Sequence, residues 1–354
     1  MKRRLLLVAP MVLAMLIVGG VALSACGGGS QENNKSASGD SAAKDNQIVF
    51  RRWFDPRQSK GAIFSMNPDG SHLHQITHPP KGWSDDVPAV SPDGQRVAFE
   101  RQKSYDDTMG RIMVLNRNTG DTREVIHCTG QCEADGNPAF SPDGESLSFN
   151  RVLSVDKSYV RGLWTAGLDG ESDPHQVTNV DPKLPAAFSD DTSSFSPDGK
   201  MLVFNRMRLE DGRFAVFVQP IVSSGSPENA RQITPWNMNC EDKPKFSPDG
   251  KLVLLRCLSK GEQGPSNLYW VHPDGTDLHA LTHSPAGTKT YLGSSFAPSF
   301  AAGKGWIVAA RQPGYGSMDN ADVFRMRIEH GDVVSSENLT KSGIWDSAPV
   351  WGSH

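Results

Sequence analysis

The chain has 354 residues, a formal net charge of −4, and 34 glycines and 24 prolines that mark it as rich in turns. Residues 1–25 hold three basic groups and no acid, so the remainder carries a charge near −7. That balance excludes nucleic acid and a basic membrane-surface patch as expected partners, and the length suits one large all-β domain.

The N-terminus reads as a targeting segment. Lys2, Arg3 and Arg4 precede an apolar stretch from Leu5 to Leu23, broken by Pro10 and by Gly19-Gly20. Leu23-Ser24-Ala25-Cys26 follows, and it resembles a bacterial lipobox. The resemblance implies a signal peptide over residues 1–25, a lipid on Cys26, and a position on the extracytoplasmic side of a membrane at the cell surface or in the periplasm. An uncleaved membrane anchor is the competing reading, because the apolar run approaches a span. The small residues before Cys26 favour cleavage. Residues 26–46, rich in Gly, Ser, Ala, Asn and Lys, cannot bury a core and read as a flexible tether.

Beyond the tether the chain repeats. Ser-Pro-Asp-Gly occurs at Ser91, Ser141, Ser196 and Ser247, each time followed by a short apolar strand and an arginine. Such a period is the signature of a repeat architecture. A strand ends in Pro-x-apolar-Ser, as in Pro88-Ala-Val-Ser91 and Pro244-Lys-Phe-Ser247. Pro-Asp-Gly then turns the chain, with Pro setting φ and Gly accepting positive φ. A second strand, a loop, a third strand, a second turn and a fourth strand ending in apolar-Thr complete the unit. Four short strands with hairpin turns, repeated, predict propeller blades.

Two further first strands are degenerate, at Ser294-Ser-Phe296 and at Pro349-Val-Trp351. The last has no second strand after it, whereas Ile48-Val-Phe-Arg-Arg52 is a second strand with no first strand before it. Joined, they make one blade. The expectation is an all-β, six-bladed propeller over residues 47–352, closed by its own C-terminal strand inside the N-terminal blade. Ring closure removes the open sheet edges.

These residues resemble the TolB-like, WD-like propeller repeats, whose hallmark is P-x-[WF]-S-P-D-G followed by an apolar strand. The resemblance covers roughly residues 47–352. It implies the propeller fold strongly. For function it implies a choice, since such propellers serve in translocation proteins, in peptidase accessory domains and in many exported proteins.

Hairpin register yields a sharper expectation. If Ser91 faces Gln95, then Asp85 faces Arg101. The same count puts Asp135 opposite Arg151, Asp190 opposite Arg206 and Asp242 opposite Arg256, and Asp346 should face Arg52 across the closure. The fifth blade departs: Arg311 remains, but Tyr291 stands where the acid would be. These pairs should circle one channel mouth, either as cross-strand ties or as a charged ring for a ligand. The register also puts Cys240 opposite Leu258, one residue from Cys257, so a small bulge would permit a bridge. Cys128 and Cys132 flank a short loop and can form the other disulfide of an exported protein. Zinc is not expected at these cysteines.

Loops between second and third strands are the least repetitive, and they carry Tyr105, Asp106, Tyr159 and Tyr315. Trp83, Trp236 and Trp345 fall in the fourth-to-first links on the same face. They read either as plugs between blades or as apolar anchors for a partner. Paired acids such as Asp85-Asp86 leave calcium as the one possible ion; no other cofactor and no catalytic residue is expected. His74, His175 and His279 share one repeat position on the outermost strand, away from the channel.

Two classes of function follow. The first is a lipid-anchored, monomeric scaffold that docks an envelope protein, peptide or polysaccharide on one propeller face. The alternative is a propeller enzyme of lactonase, lyase or dehydrogenase type with a metal-assisted site at the channel mouth. The repeat fills the chain beyond the tether and no G-x-S-x-G elbow occurs, which favours the first.

Overall fold

A computed structural model describes residues 46–55, 59–103, 110–155, 158–169, 173–178, 188–221, 230–258, 265–284, 289–296, 300–313 and 320–352. The strands group into six four-stranded antiparallel sheets arranged as propeller blades. Blade 1 comprises Ser84–Val90, Arg96–Gln102, Arg111–Asn116 and Thr122–Glu124. Blade 2 comprises Cys132–Phe140, Ser146–Val155, Ser158–Gly167 and His175–Gln176. Blade 3 comprises Phe188–Phe195, Met201–Arg208, Phe214–Pro220 and Arg231–Gln232. Blade 4 comprises Cys240–Phe246, Val253–Leu258, Ser266–Val271 and His279–Ala280. Blade 5 comprises Lys289–Phe296, Gly305–Pro313, Asp322–Glu329 and Asp332–Asn338. Blade 6 joins the termini: Trp345–Trp351 pairs with Ile48–Trp53, which leads to Gly61–Met66 and His74–Gln75. Ile48 faces Trp351 and Arg52 faces Asp346, so the ring closes as expected.

The Ser-Pro-Asp-Gly turns form because each residue satisfies a backbone group. In blade 1 the Gly94 amide donates to the Ser91 carbonyl at 2.8 Å with φ of +67°, and the Ser91 hydroxyl accepts from the Arg96 amide at 2.9 Å. Asp93 accepts from the Gln95 amide at 3.0 Å. The same bonds recur around Asp143 and Asp198, where the Ser141 and Ser196 hydroxyls hold the carboxyls below their ordinary range. The repeated threonine is a latch. Thr178, Thr234, Thr282 and Thr340 each accept, through the hydroxyl, from a third-strand amide at 2.8–3.0 Å. Thr178, Thr234 and Thr282 follow two-residue outer strands rather than ending longer ones, whereas Thr340 follows the seven-residue strand Asp332–Asn338.

Apolar clusters fill the seams between blades. Ala98 and Ile112 of blade 1 pack on Phe140 and Phe149 of blade 2, and Leu163 on Phe204 joins blades 2 and 3. Val216 on Val253 joins blades 3 and 4, and Leu254 with Trp270 on Phe296 and Ile307 joins blades 4 and 5. Phe50 with Trp351 on Val308 and Val49 on Phe99 carry the packing through blade 6 and back to blade 1. Alternation along each strand feeds both of its faces into these seams.

Candidate functional site

Each first strand kinks midway. Register shifts lie between Asp86 and Ala89, Gly136 and Ala139, Asp190 and Ser193, Glu241 and Lys245, Tyr291 and Ser294, and across the Ala348 region. Val87, Asn137 and Ala348 take φ of +47°, +53° and +51° immediately before the repeat proline. Bulges of this kind re-aim side chains. Here they separate an outer ring of ion pairs, at the start of the strands, from an inner layer lining the channel.

The outer ring is present as expected in four blades. Arg101 binds Asp85 in a two-pronged contact at 2.6 and 2.9 Å. Arg151 binds Asp135 at 2.7 and 2.8 Å, and Arg206 binds Asp190 at 2.6 and 2.8 Å. Arg52 binds Asp346 at 2.6 and 2.7 Å across the closure. The acids are buried, and each guanidinium lies on aromatic rings: Arg151 on Phe149 and Trp164, Arg206 on Phe204 and Phe217, Arg52 on Phe64. Burial pushes the Asp85 and Asp135 carboxyls up, against the arginines' hydrogen bonds. None of these eight side chains lines the channel cavity. In blade 5 Tyr291 does face Arg311, whose guanidinium rests over Phe324.

Blade 4 corrects the expected register. Arg256 faces Glu241, not Asp242, and binds it at 2.7 Å. Asp242 lies 3.7 Å from the Arg256 Nε. The cause is a longer bulge: Asp242 itself takes φ of +82°, one residue earlier than the kink in its neighbours. The same shift puts Cys240 directly opposite Cys257, not Leu258, and the two form a disulfide. Cys128 and Cys132 form the second. Their sulfurs lie beside Asp135 but are committed to each other.

Inside the ring lies a cavity of about 230 Å³ at the channel mouth. Its wall includes Arg51, Asp242, Lys243, Lys245, Arg256 and Trp345. A second set of contacts ties neighbouring blades around it. Arg51 of blade 6 binds Asp86 of blade 1 at 2.5 Å and also donates to Ser347. Glu100 of blade 1 sits against Gly136 and accepts from the Asn137 amide of blade 2 at 3.3 Å. Asn150 of blade 2 donates to Asp191 of blade 3, and Asp242 of blade 4 accepts from the Gly293 amide of blade 5. Desolvation, with Asp86 nearby, pushes Glu100 up to about 8, so it is a neutral acid at pH 7. Lys243 reaches across the channel to the Pro138 carbonyl.

Lys243 and Lys245 were not among the expected site residues. The signal was visible: the innermost strands carry Ala89, Ala139, Ser194 and Ser295 where blade 4 carries Lys245. A lysine in a position that is otherwise small or, at Val350 of blade 6, apolar is an anomaly in the repeat, and counting acids against arginines passed over it.

On the loops, Tyr159 is 64% exposed, at the end of an extended hairpin in which Ser158 pairs with Val155. Val152 to Arg161 is thus largely strand rather than loop. Trp236 stacks on Phe188 at 6.1 Å under Arg208, and Trp83 carries Lys103 and Arg111 over its ring. Trp345 is buried with Trp53 and Ala321 and is a wall of the channel rather than a projecting anchor. Cys26, Tyr105, Asp106 and Tyr315 lie outside the described residues. The three repeat histidines sit on outermost strands, with His279 bound to the Gly331 carbonyl at 2.8 Å.

The fold and mouth define a closed six-bladed propeller with a charge-lined channel. A family model described as the TolB beta propeller domain matches residues 45–299, and the chain belongs to that family. TolB from Acinetobacter baumannii is similar in structure, with a TM-score of 0.62 and 17% identity over 87% of this chain and 67% of that one. A putative TolB from Agrobacterium tumefaciens gives 0.57 and 18% identity over 87% and 90% of the two chains. Hydrazine synthase from Kuenenia stuttgartiensis gives 0.61 and 12% identity over 86% of this chain and 46% of that one. At these identities the likeness is one of fold. No curated protein matches the sequence.

Proposed function

We propose that this protein is an extracytoplasmic propeller that docks an envelope protein or peptide on its channel-mouth face and is held to a membrane by a lipid on Cys26. The observation that carries the reading is the distribution of exposed apolar side chains. Phe54, Tyr159, Phe188 and Leu209 are the exposed large hydrophobics at this face among the described residues, and Phe188 stacks on Trp236. Leu73 and Val334 are the remaining two: Leu73 lies in the turn that leads into the outer strand His74–Gln75, and Val334 on the outer strand Asp332–Asn338. An apolar rim around a polar cavity suits a protein surface. Two disulfides and the kinship with TolB support an oxidising, extracytoplasmic setting.

The test is photocrosslinking in intact cells. A crosslinking amino acid at Tyr159 or Leu209 should capture one discrete partner, and the same group at Leu73, on the turn face, should not. Equal capture from both faces would sink the proposal. Cys26→Ala should release the protein from membranes into the soluble fraction.

A further inference from the structure

Lys243 and Lys245 are 9% and 5% exposed, on one innermost strand, and both line the mouth cavity. Two ammonium groups in one desolvated space oppose each other, and each is costly to bury alone. Lys243 has the Pro138 carbonyl. Among the described residues Lys245 has neither a hydrogen-bond partner nor a counter-ion. The acids nearby are already engaged. Glu241 holds Arg256, and Asp86 holds Arg51. Asp242 accepts from the Gly293 amide and from the Lys243 amide, at 2.9 Å in the latter case. Arg51 and Arg256 also line this cavity, and their guanidinium groups add to its positive wall.

We infer that this cavity is a receptor for a single carboxylate, bound by Lys245 within a wall that also carries Arg51 and Arg256. Arg51 and Arg256 are matched by their acids and burial drives Lys243 well below its ordinary range, so among the described residues Lys245 is the cation of this wall without an acid of its own. That suits a monoanion. The cavity, about 230 Å³, holds a carboxylate and the few atoms that carry it, and is smaller than the space of about 300 Å³ or more that drug-sized ligands need. The carboxylate comes from a free small acid or from the terminus of a polypeptide. Desolvation lowers Lys245 to about 8, and a bound anion would raise it again. The site goes beyond the docking reading and stands or falls separately.

The test uses the full chain, calorimetry, and three probes at matched ionic strength and pH 6.5: acetate, an acetylated triglycine acid and the corresponding amide. The acid peptide should bind at least about tenfold more tightly than the amide, the loss expected for one charged hydrogen-bonded contact. Acetate binding as well as the peptide acid identifies a free small acid as the source; peptide acid alone identifies a chain terminus. Lys245→Met should lose the preference for acid over amide, and Lys245→Gln serves if the first variant does not fold. Equal binding of acid and amide, no binding of any probe, or an undiminished preference in the Lys245 variant would overturn the inference. Failure here with successful capture at Tyr159 would remove the carboxylate site and leave the docking face intact.

Discussion

At the residue scale, Arg151 and Lys245 illustrate two fates for a cation beneath a propeller surface. Arg151 lies flat on Phe149 and Trp164 with two nitrogens on Asp135. Removing it leaves a buried carboxylate without its partner. Arg151→Ala should therefore cost about 3–5 kcal/mol in urea unfolding, and an unchanged midpoint would show that the outer ring is decorative. Glu100 makes a prediction with a sign. Its carboxyl is raised from 4.5 to about 8 by desolvation. Its contribution to stability is present below pH 4.5 and is lost as the pH rises through 8, because the unfolded chain ionises first. Glu100→Gln should remove that loss, so the variant should be more stable than the parent at pH 9, by a few kcal/mol at most, and closer to it at pH 4. A parent and variant with parallel pH profiles would contradict the neutral-acid assignment.

At the scale of a single strand, the Ser-Pro-Asp-Gly turns and the acid–arginine pairs were legible because both depend on local chemistry and short counting. The bulges were not. A left-handed residue before proline leaves no mark in composition when it is Val87 in one blade, Asn137 in another and Ala348 in a third. The expected register placed Ser91 opposite Gln95, yet the backbone pairs Ser91 with Arg96. A one-residue bulge then restores Asp85 to Arg101. In blade 4 the bulge is longer, and the same count failed at Asp242. Gly293 marks where this geometry is tightest: its φ is +75°, and a Cβ there would stand 2.9 Å from the Ala348 Cα. Gly293→Ala should destabilise by at least about 1 kcal/mol, read as a lower melting temperature. The Cys240–Cys257 bridge closes a loop of 17 residues across the same strand pair. Replacing both cysteines with alanine should cost about 3 kcal/mol, whereas the same change at Cys128 and Cys132, separated by 4 residues, should cost less.

For the whole molecule, stability depends on a ring with every seam packed. Trp351 is 4% exposed, faces Ile48 and donates its indole N–H to Asn46 at 3.0 Å, so the C-terminal strand fastens the N-terminal blade. Trp351→Ala should cost about 3–5 kcal/mol; a mild, local effect confined to blade 6 would argue that the closure is dispensable. The ring was readable because the two orphan strands complete a single unit. The channel contents were harder to read, since they depend on which of two adjacent residues a bulge turns inward. Arg51 beside Arg52 and Lys245 beside Phe246 show how little sequence distance separates a channel-lining group from one committed to the blades.

The central claim is that charge at this mouth is divided between an outer ring that holds the fold and inner lysines that await an anion. The most direct measurement is a pair of ligand-free melting temperatures at pH 6.5, for Arg151→Ala and Lys245→Met. The division predicts opposite signs: Arg151→Ala melts below the parent, and Lys245→Met, relieved of an uncompensated buried charge, melts above it. Two shifts in the same direction would contradict it.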